Sequence, residues 1–176
     1  LVQRTGAHIT RSVSGGVRII VNPNNPTGTF PEIPNPSDYD FVIIDEAYID
    51  YYPKEKSMKF LLLEHENILI TRTFSKLYGL AGMRIGYGIT SKKYAEYLKK
   101  VSDPYNIPSF TLHAAMTVID DKEFLEKSLE LNQESLHITV TALRKLGVEM
   151  MTPCANFITV KLPNLIPGFS MRDLEF

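Results

Sequence analysis

The chain has 176 residues, enough for one domain or for one domain and part of a second. Hydrophobic residues make up 44%, charged residues 22%, and the formal net charge is −1. This composition is typical of a globular protein and indicates neither nucleic acid nor an anionic membrane as a partner. No apolar run approaches the roughly 20 residues of a membrane span. The single cysteine, Cys154, excludes an internal disulfide and favours a reducing cytoplasm.

Two β-branched runs early in the chain predict buried strands that end in polar loops. Residues 1–16 predict only a strand and a loop. Val17–Val21 is the first clear strand, and it runs into Asn22–Gly28, whose sequence is Asn-Pro-Asn-Asn-Pro-Thr-Gly. That loop cannot be helical, because its two prolines restrict the residues before them. Phe41–Ile44 is the next strand, and it places the carboxylate of Asp45 at its end.

A third strand, Asn67–Thr71, leads into the stretch around which the chain is organised. Here two hydroxyls, Thr73 and Ser75, precede Lys76, and Arg84 follows it. A lysine that bonds an aldehyde cofactor must be fixed and partly desolvated, so that its amine is neutral often enough to attack a carbonyl. Hydroxyls and a guanidinium beside it suit a phosphate. The combination predicts pyridoxal phosphate, although this stretch alone is better explained as a strand, a polar turn and a solvated lysine.

Helices and strands alternate along the rest of the chain. Helices are predicted at residues 57–66, 92–101, 109–119 and 121–146, and strands at 85–89, 148–151 and 157–162. Ser91 and Ser109 are candidate helix caps, and Gly147 follows the longest helix as a C-terminal cap would. This alternation predicts an α/β fold with a largely parallel sheet, in which ligands bind beyond the carboxyl ends of the strands.

The three strand-end loops suggest a role for each polar residue that they carry. Lys76 would bond the cofactor and carry protons at the substrate α-carbon. Asp45 would pair with the pyridine nitrogen and keep it protonated, so that the ring withdraws electrons from that carbon. Thr73, Ser75 and Arg84 would bind the phosphate. Asn25 and Tyr48 would form hydrogen bonds to the phenolic oxygen of the ring.

The order of these motifs resembles the class I/II aminotransferases of fold-type I. Residues 22–29 (Asn-Pro-Asn-Asn-Pro-Thr-Gly-Thr), 45–50 (Asp-Glu-Ala-Tyr-Ile-Asp) and 72–87 are similar to the histidinol-phosphate aminotransferase branch. Related aspartate and aromatic transaminases and a phosphothreonine decarboxylase share these loops. The resemblance implies the same seven site residues, a large cofactor-binding domain with a mostly parallel sheet at 1–125, and part of a smaller α+β C-terminal domain at 126–176.

The resemblance also implies substrates and an assembly. The reaction that it best supports is amino transfer between histidinol phosphate and 2-oxoglutarate in histidine biosynthesis. It also implies a cytoplasmic homodimer and places Asn156 near the substrate. Family members are longer at both ends, which implies that the first strands, a phosphate loop, a tyrosine of the partner subunit and an arginine that grips the substrate lie outside this sequence. Arg172 is interpreted as a solvated arginine instead. The spacing from Gly28 to Asp45 leaves no room for a helix.

Other interpretations have less support in the sequence. Phe41–Glu46 looks like the acidic strand end of nucleotide hydrolases, but the sequence has no Gly-Lys phosphate loop. Residues 86–91 begin like a dinucleotide fingerprint and lack its third glycine. The four histidines show no metal-ligand spacing, so no metal is predicted. An inactive fragment that keeps the fold is a further alternative, and the colour of a bound cofactor would distinguish it from an enzyme.

Overall fold

The computed structural model describes residues 15–52 and 54–161, so the strand and loop predicted for residues 1–16 lie almost wholly outside the described residues. Four strands form one sheet in the order β1-β2-β3-β4, and they are Val17–Val21, Phe41–Asp45, Ile68–Thr73 and Gly86–Thr90. The first three are parallel, which confirms the predicted largely parallel sheet. Strand β4 is antiparallel to β3, because residues 74–85 form a loop rather than the crossover helix that a parallel strand would need.

The core lies on one face of the sheet because the side chains of a strand alternate between its two faces. Val42 and Ile44 of β2 and Ile68 and Ile70 of β3 are fully buried. A 3-10 helix at Met58–Leu63 covers them, within the helix predicted at residues 57–66. Between β1 and β2 the chain forms only a 3-10 turn at Pro36–Asp38, as the short spacing predicted.

Three α-helices follow the sheet close to their predicted positions: α1 is Lys92–Val101, α2 is Ser109–Asp120 and α3 is Lys122–Lys145. Asp121 caps α3, since its carboxylate accepts from the N–H of Phe124 at 3.0 Å. The predicted caps fit less well, because the Ser91 hydroxyl makes no capping bond and Pro108, not Ser109, precedes α2. Gly147 donates to the carbonyl of Arg144 at the end of α3.

The prediction of strands at 148–151 and 157–162 is wrong for the residues that the structure describes, which end at residue 161. The two segments meet at a single antiparallel bridge between Met150 and Val160. The backbone between these two segments forms a hydrogen bond outside them: the N–H of Cys154 donates to the carbonyl of Gly28 at 2.8 Å. Pro153 has no N–H to offer a ladder. In the described part of the chain, no helix is both long and apolar enough to cross a bilayer.

Candidate active site

Three polar loops leave the same edge of the sheet because the strand register aligns their starting points. Val21, Asp45 and Thr71 are cross-strand partners; the first two end β1 and β2, and Thr71 lies two residues before the end of β3. The pairing continues one residue further, where the N–H of Asn22 donates to the carbonyl of Asp45 and that of Glu46 to the carbonyl of Thr71, both at 2.8 Å. The loops that carry the predicted residues therefore leave the same edge of the sheet, the third of them after two further residues of β3.

Asp45 is the last residue of β2 and is half-buried at this edge. Its Oδ1 accepts from the backbone N–H of Ala47 at 3.0 Å, which fixes the carboxylate plane. Within the described residues, Oδ2 has no hydrogen-bond partner. The carboxylate is therefore oriented by the backbone and keeps one oxygen for a donor beyond the strand end.

Asn25 and Tyr48 lie on two different loops and meet through their side chains. The amide of Asn25 donates to the hydroxyl of Tyr48 at 3.1 Å. The Asn25 loop closes on itself, because the N–H of Gly28 donates to the carbonyl of Asn24 at 2.7 Å and Gly28 adopts a positive φ of 70°. Phe157 packs edge-on against the Tyr48 ring at 5.3 Å between centroids. Two polar groups predicted to bind one ring oxygen are therefore in direct contact.

Lys76 projects toward the same place from the loop after β3. Its Nζ lies 4.8 Å from the centroid of the Tyr48 ring. Thr73 shapes the loop by accepting from the N–H of Ser75 at 3.0 Å, and Gly79 donates to the carbonyl of Lys76 at 2.9 Å. The structure thus brings Lys76, Tyr48 and Asn25 together and places Thr73 and Ser75 immediately before the lysine.

Arg84 ends this loop in the left-handed conformation, with φ 53° and ψ 46°. Its Nη1 donates to the carbonyl of Ala81 at 2.9 Å, and the side chain is exposed. A guanidinium has five N–H donors, so this bond leaves others for an anion. Arg84 is therefore anchored at the loop end and open to solvent.

Asn156 is placed differently from the seven cofactor candidates. It is exposed and lines a cleft of about 360 Å³ against α3, with neighbours that include Asn132 and Thr139. The next residue, Phe157, is the one that contacts Tyr48. Phe157 belongs to the segment from which only Asn156 was predicted near the substrate, because an aromatic residue in an apparent strand is normally a core residue. Arg172 lies outside the described residues.

A buried ion pair behind the site was also missed. Glu46 is fully buried and accepts from the guanidinium of Arg72 at 2.8 Å. Burial acts to lower the pKa of Arg72, but its hydrogen bond with Glu46 and the charge there outweigh this and raise it. Burial also raises the pKa of Asp50, an effect that the charge of Arg72 opposes and Glu46 reinforces. The sequence signal that could have indicated this pair is a charged residue at the end of each of two apolar strands, Glu46 after β2 and Arg72 near the end of β3.

Gly86 is required by the close approach of β3 and β4. A Cβ added there would lie 2.6 Å from the carbonyl oxygen of Arg72, which is backbone and cannot turn away. We expect Gly86→Ala to lower the free energy of unfolding by about 1–3 kcal/mol, as overpacking does. The matched control is Gly82→Ala in the loop that precedes β4, where a Cβ meets nothing within 4 Å.

We expect the Gly82 variant to be unchanged or stabilised by up to about 1 kcal/mol, because alanine restricts the unfolded chain. Denaturant unfolding of both variants measures the difference. If the Gly86 and Gly82 variants were equally stable, strands β3 and β4 would have to lie further apart at Gly86 than the structure shows.

The family model for aminotransferase class I and II matches residues 8–166. The chain belongs to this family. Among the proteins similar to this chain, histidinol-phosphate aminotransferase 1 of Psychrobacter arcticus is 39% identical over 150 residues, which are 81% of this chain and 39% of that protein. The chain spans 39% of the length of this relative and 44% of that of histidinol-phosphate aminotransferase 1 of Nitrosococcus oceani.

Solved structures confirm the fold-type I architecture of the chain. The histidinol-phosphate aminotransferase of Clostridium acetobutylicum superposes with a TM-score of 0.75 at 30% identity, over 84% of this chain and 48% of that one. The enzyme of the same name from Sinorhizobium meliloti, solved in complex with pyridoxal-5'-phosphate, gives a TM-score of 0.74 over 90% of this chain and 43% of that one. At 24% identity, that second likeness shows the fold alone.

Proposed function

We propose that the protein is a pyridoxal-phosphate-dependent aminotransferase and that Lys76 bonds the cofactor. The observation that carries the proposal is the convergence of an amine, a carboxylate and two hydrogen-bonding side chains at one edge of the sheet. Lys76 lies over Tyr48, Tyr48 is bonded to Asn25, and Asp45 ends the adjoining strand. Membership of the class I and II aminotransferases supports this reading of the geometry.

The donor set fits this cofactor group by group. The carboxylate of Asp45 suits a protonated pyridine nitrogen, since it keeps an oxygen beyond the bond from Ala47. The hydroxyls of Thr73 and Ser75 and the guanidinium of Arg84 suit a phosphate, which prefers charged and multiple donors. When bound, pyridoxal phosphate withdraws electrons from the α-carbon of the substrate and makes its proton removable.

The side chains divide the remaining work between holding and proton transfer. The amine of Lys76 holds the cofactor and then moves the proton at the substrate α-carbon, which is general acid–base catalysis by a positioned group. Asn25 and Tyr48 orient the ring through its phenolic oxygen. Phe157 packs against the Tyr48 ring in a T-shaped arrangement and so helps to hold the phenol in place.

The proposed substrates are histidinol phosphate as amino donor and 2-oxoglutarate as acceptor, within histidine biosynthesis. The form of residues 45–50 and 72–87 supports this choice, as does the 39% identity with a protein that carries the name. We also propose that the protein works as a cytoplasmic homodimer, with a cofactor domain at 1–125 and part of a smaller domain at 126–176. Helix α3 crosses this division without a break.

A half-reaction assay tests the substrate. The protein loaded with pyridoxal phosphate is mixed with histidinol phosphate, phosphothreonine, aspartate or an aromatic amino acid, and the cofactor spectrum is followed. We expect histidinol phosphate to convert the cofactor fastest, with no carbon dioxide formed. Release of carbon dioxide from phosphothreonine would identify a decarboxylase instead, and a slow reaction with histidinol phosphate would remove the substrate proposal while leaving the cofactor proposal in place.

A further inference from the structure

A charged pair joins the ends of the strands on the face of the sheet opposite Asp45, with the Glu46 side chain fully buried and that of Arg72 16% exposed. Side chains alternate along a strand, so Glu46 and Arg72 point away from the face that carries Asp45 and Thr71. Glu46 has no exposed surface, and its Oε2 accepts from the Nε of Arg72 at 3.1 Å and from its Nη2 at 2.8 Å. A carboxylate taken out of water survives only with such partners.

Further donors complete the shell of the Glu46 carboxylate. Its Oε1 accepts from the N–H of Met58 at 2.7 Å and from the amide of Asn22 at 3.2 Å. Its Oε2 accepts from the hydroxyl of Ser57 at 2.9 Å, and that hydroxyl accepts from Arg72 at 2.8 Å. One carboxylate is therefore bonded to the residues that follow β1, to the end of β3 and to the start of the covering 3-10 helix.

The position of these residues along the chain connects them to the candidate active site. Asn22 is the first residue of the loop that carries Asn25, and Glu46 lies between Asp45 and Tyr48. Arg72 is the penultimate residue of β3, four residues before Lys76. The Glu46 carboxylate therefore links the starts of all three loops: it belongs to the second loop and bonds Asn22 at the start of the first and Arg72 just before the third.

We propose that Glu46 and Arg72 are positioning residues that hold the three strand-end loops at the spacing needed for Asp45, Tyr48 and Lys76 to meet one cofactor. A buried ion pair is a poor source of stability, because desolvation offsets its attraction and an apolar pair of similar volume often serves the fold as well. Its directional bonds, in contrast, fix geometry. The inference rests on the proposed function, since it concerns the same site.

The test compares single and double substitutions in the full protein. Glu46→Gln or Arg72→Met alone leaves a buried group without its partner, so each is expected to lower the thermal midpoint. The double variant E46Q/R72M removes both charges, and its midpoint is expected to return to within a few degrees of the unaltered protein. We expect its dissociation constant for pyridoxal phosphate, measured by absorbance titration, to rise at least about tenfold, a factor equivalent to 1.4 kcal/mol.

Two further variants make the result decisive. Arg72→Lys keeps the charge and the fold but has no planar fork for the carboxylate, so we expect several-fold weaker cofactor binding and a shifted absorbance maximum of the bound cofactor. E149Q/K161M removes an exposed ion pair of 3.0 Å, at which both side chains are more than 70% exposed, and is expected to change neither quantity. If E46Q/R72M does not fold, Arg72→Lys decides the question.

The outcomes separate the inference from the function on which it rests. Weaker binding and an altered spectrum in a stably folded double variant support the positioning role. Unaltered binding in that variant, or in Arg72→Lys, would show that the pair serves stability alone and would overturn the inference. If the unaltered protein takes up no pyridoxal phosphate, the proposed function fails and the inference fails with it.

Discussion

Replacing Lys76 by alanine is expected to abolish covalent attachment of pyridoxal phosphate and to lower the transamination rate by more than about 10³-fold. Acid–base catalysis by a positioned group alone contributes roughly 10²–10⁴-fold, and this variant also loses the group that bonds the cofactor. The structure makes Lys76 the candidate because its Nζ lies 4.8 Å from the centroid of the Tyr48 ring, on the loop that follows β3. Steady-state rates with saturating cofactor measure the loss.

Borohydride reduction and peptide mapping of the unaltered protein test the same assignment without relying on turnover. The reduced cofactor is expected on the peptide that contains Lys76. The control is Lys99→Ala on the exposed side of α1, which should retain both the label and the rate. Label recovered on another lysine would contradict the assignment, whatever the activity of the alanine variant.

Replacing Asp45 by alanine is expected to reduce transamination by about 10²–10³-fold while some cofactor stays bound. The variant loses the negative partner of the pyridine nitrogen, and electrostatic partners aimed at developing charge are worth about that factor. Asp45→Asn is the more conservative change, since its Oδ1 can still accept from the N–H of Ala47 and preserve the turn. We expect Asp45→Asn to fold normally and to show a similar loss of rate.

The matched control for Asp45 is Asp103→Asn, an exposed carboxylate between α1 and α2. Rates of the half-reaction and the spectrum of the bound cofactor are measured for all three variants. The control should behave as the unaltered protein does. Near-normal turnover in Asp45→Ala would show that the carboxylate at the end of β2 has another task.

The elements that could be predicted from the sequence are those with a local signal. The β-branched run Val17–Val21 and the helix Lys92–Val101 have their predicted bounds, because strand propensity and helical periodicity are read from neighbouring residues. The strands predicted from Val148 onward are wrong because only part of that segment pairs locally, at the bridge between Met150 and Val160. The N–H of Cys154 donates to the carbonyl of Gly28, and no pattern in the sequence predicts a partner so far along the chain.

The candidate site shows the same division between local and distant information. Asn25 and Tyr48 could be assigned to one oxygen because both follow strands whose ends share a sheet edge, and the structure joins them at 3.1 Å. Glu46 and Arg72 were passed over because a single sequence does not state which two side chains meet on the hidden face of a sheet. The roles assigned to the seven cofactor residues stay predictions, as does the division at residue 125.

The contact between Phe157 and Tyr48 also bears on the order in which the protein folds. A neighbouring bond joins the hydroxyl of Thr159 to the carbonyl of Pro26 across 133 residues. Closing such a long loop costs entropy before any contact repays it, so distant contacts of this kind form late and slow the folding of a chain. Strands β1 to β3 can pair from shorter separations. The tyrosine is therefore expected to gain its aromatic neighbour only after the sheet has assembled, which makes competence to hold a cofactor one of the last properties that the folding chain acquires.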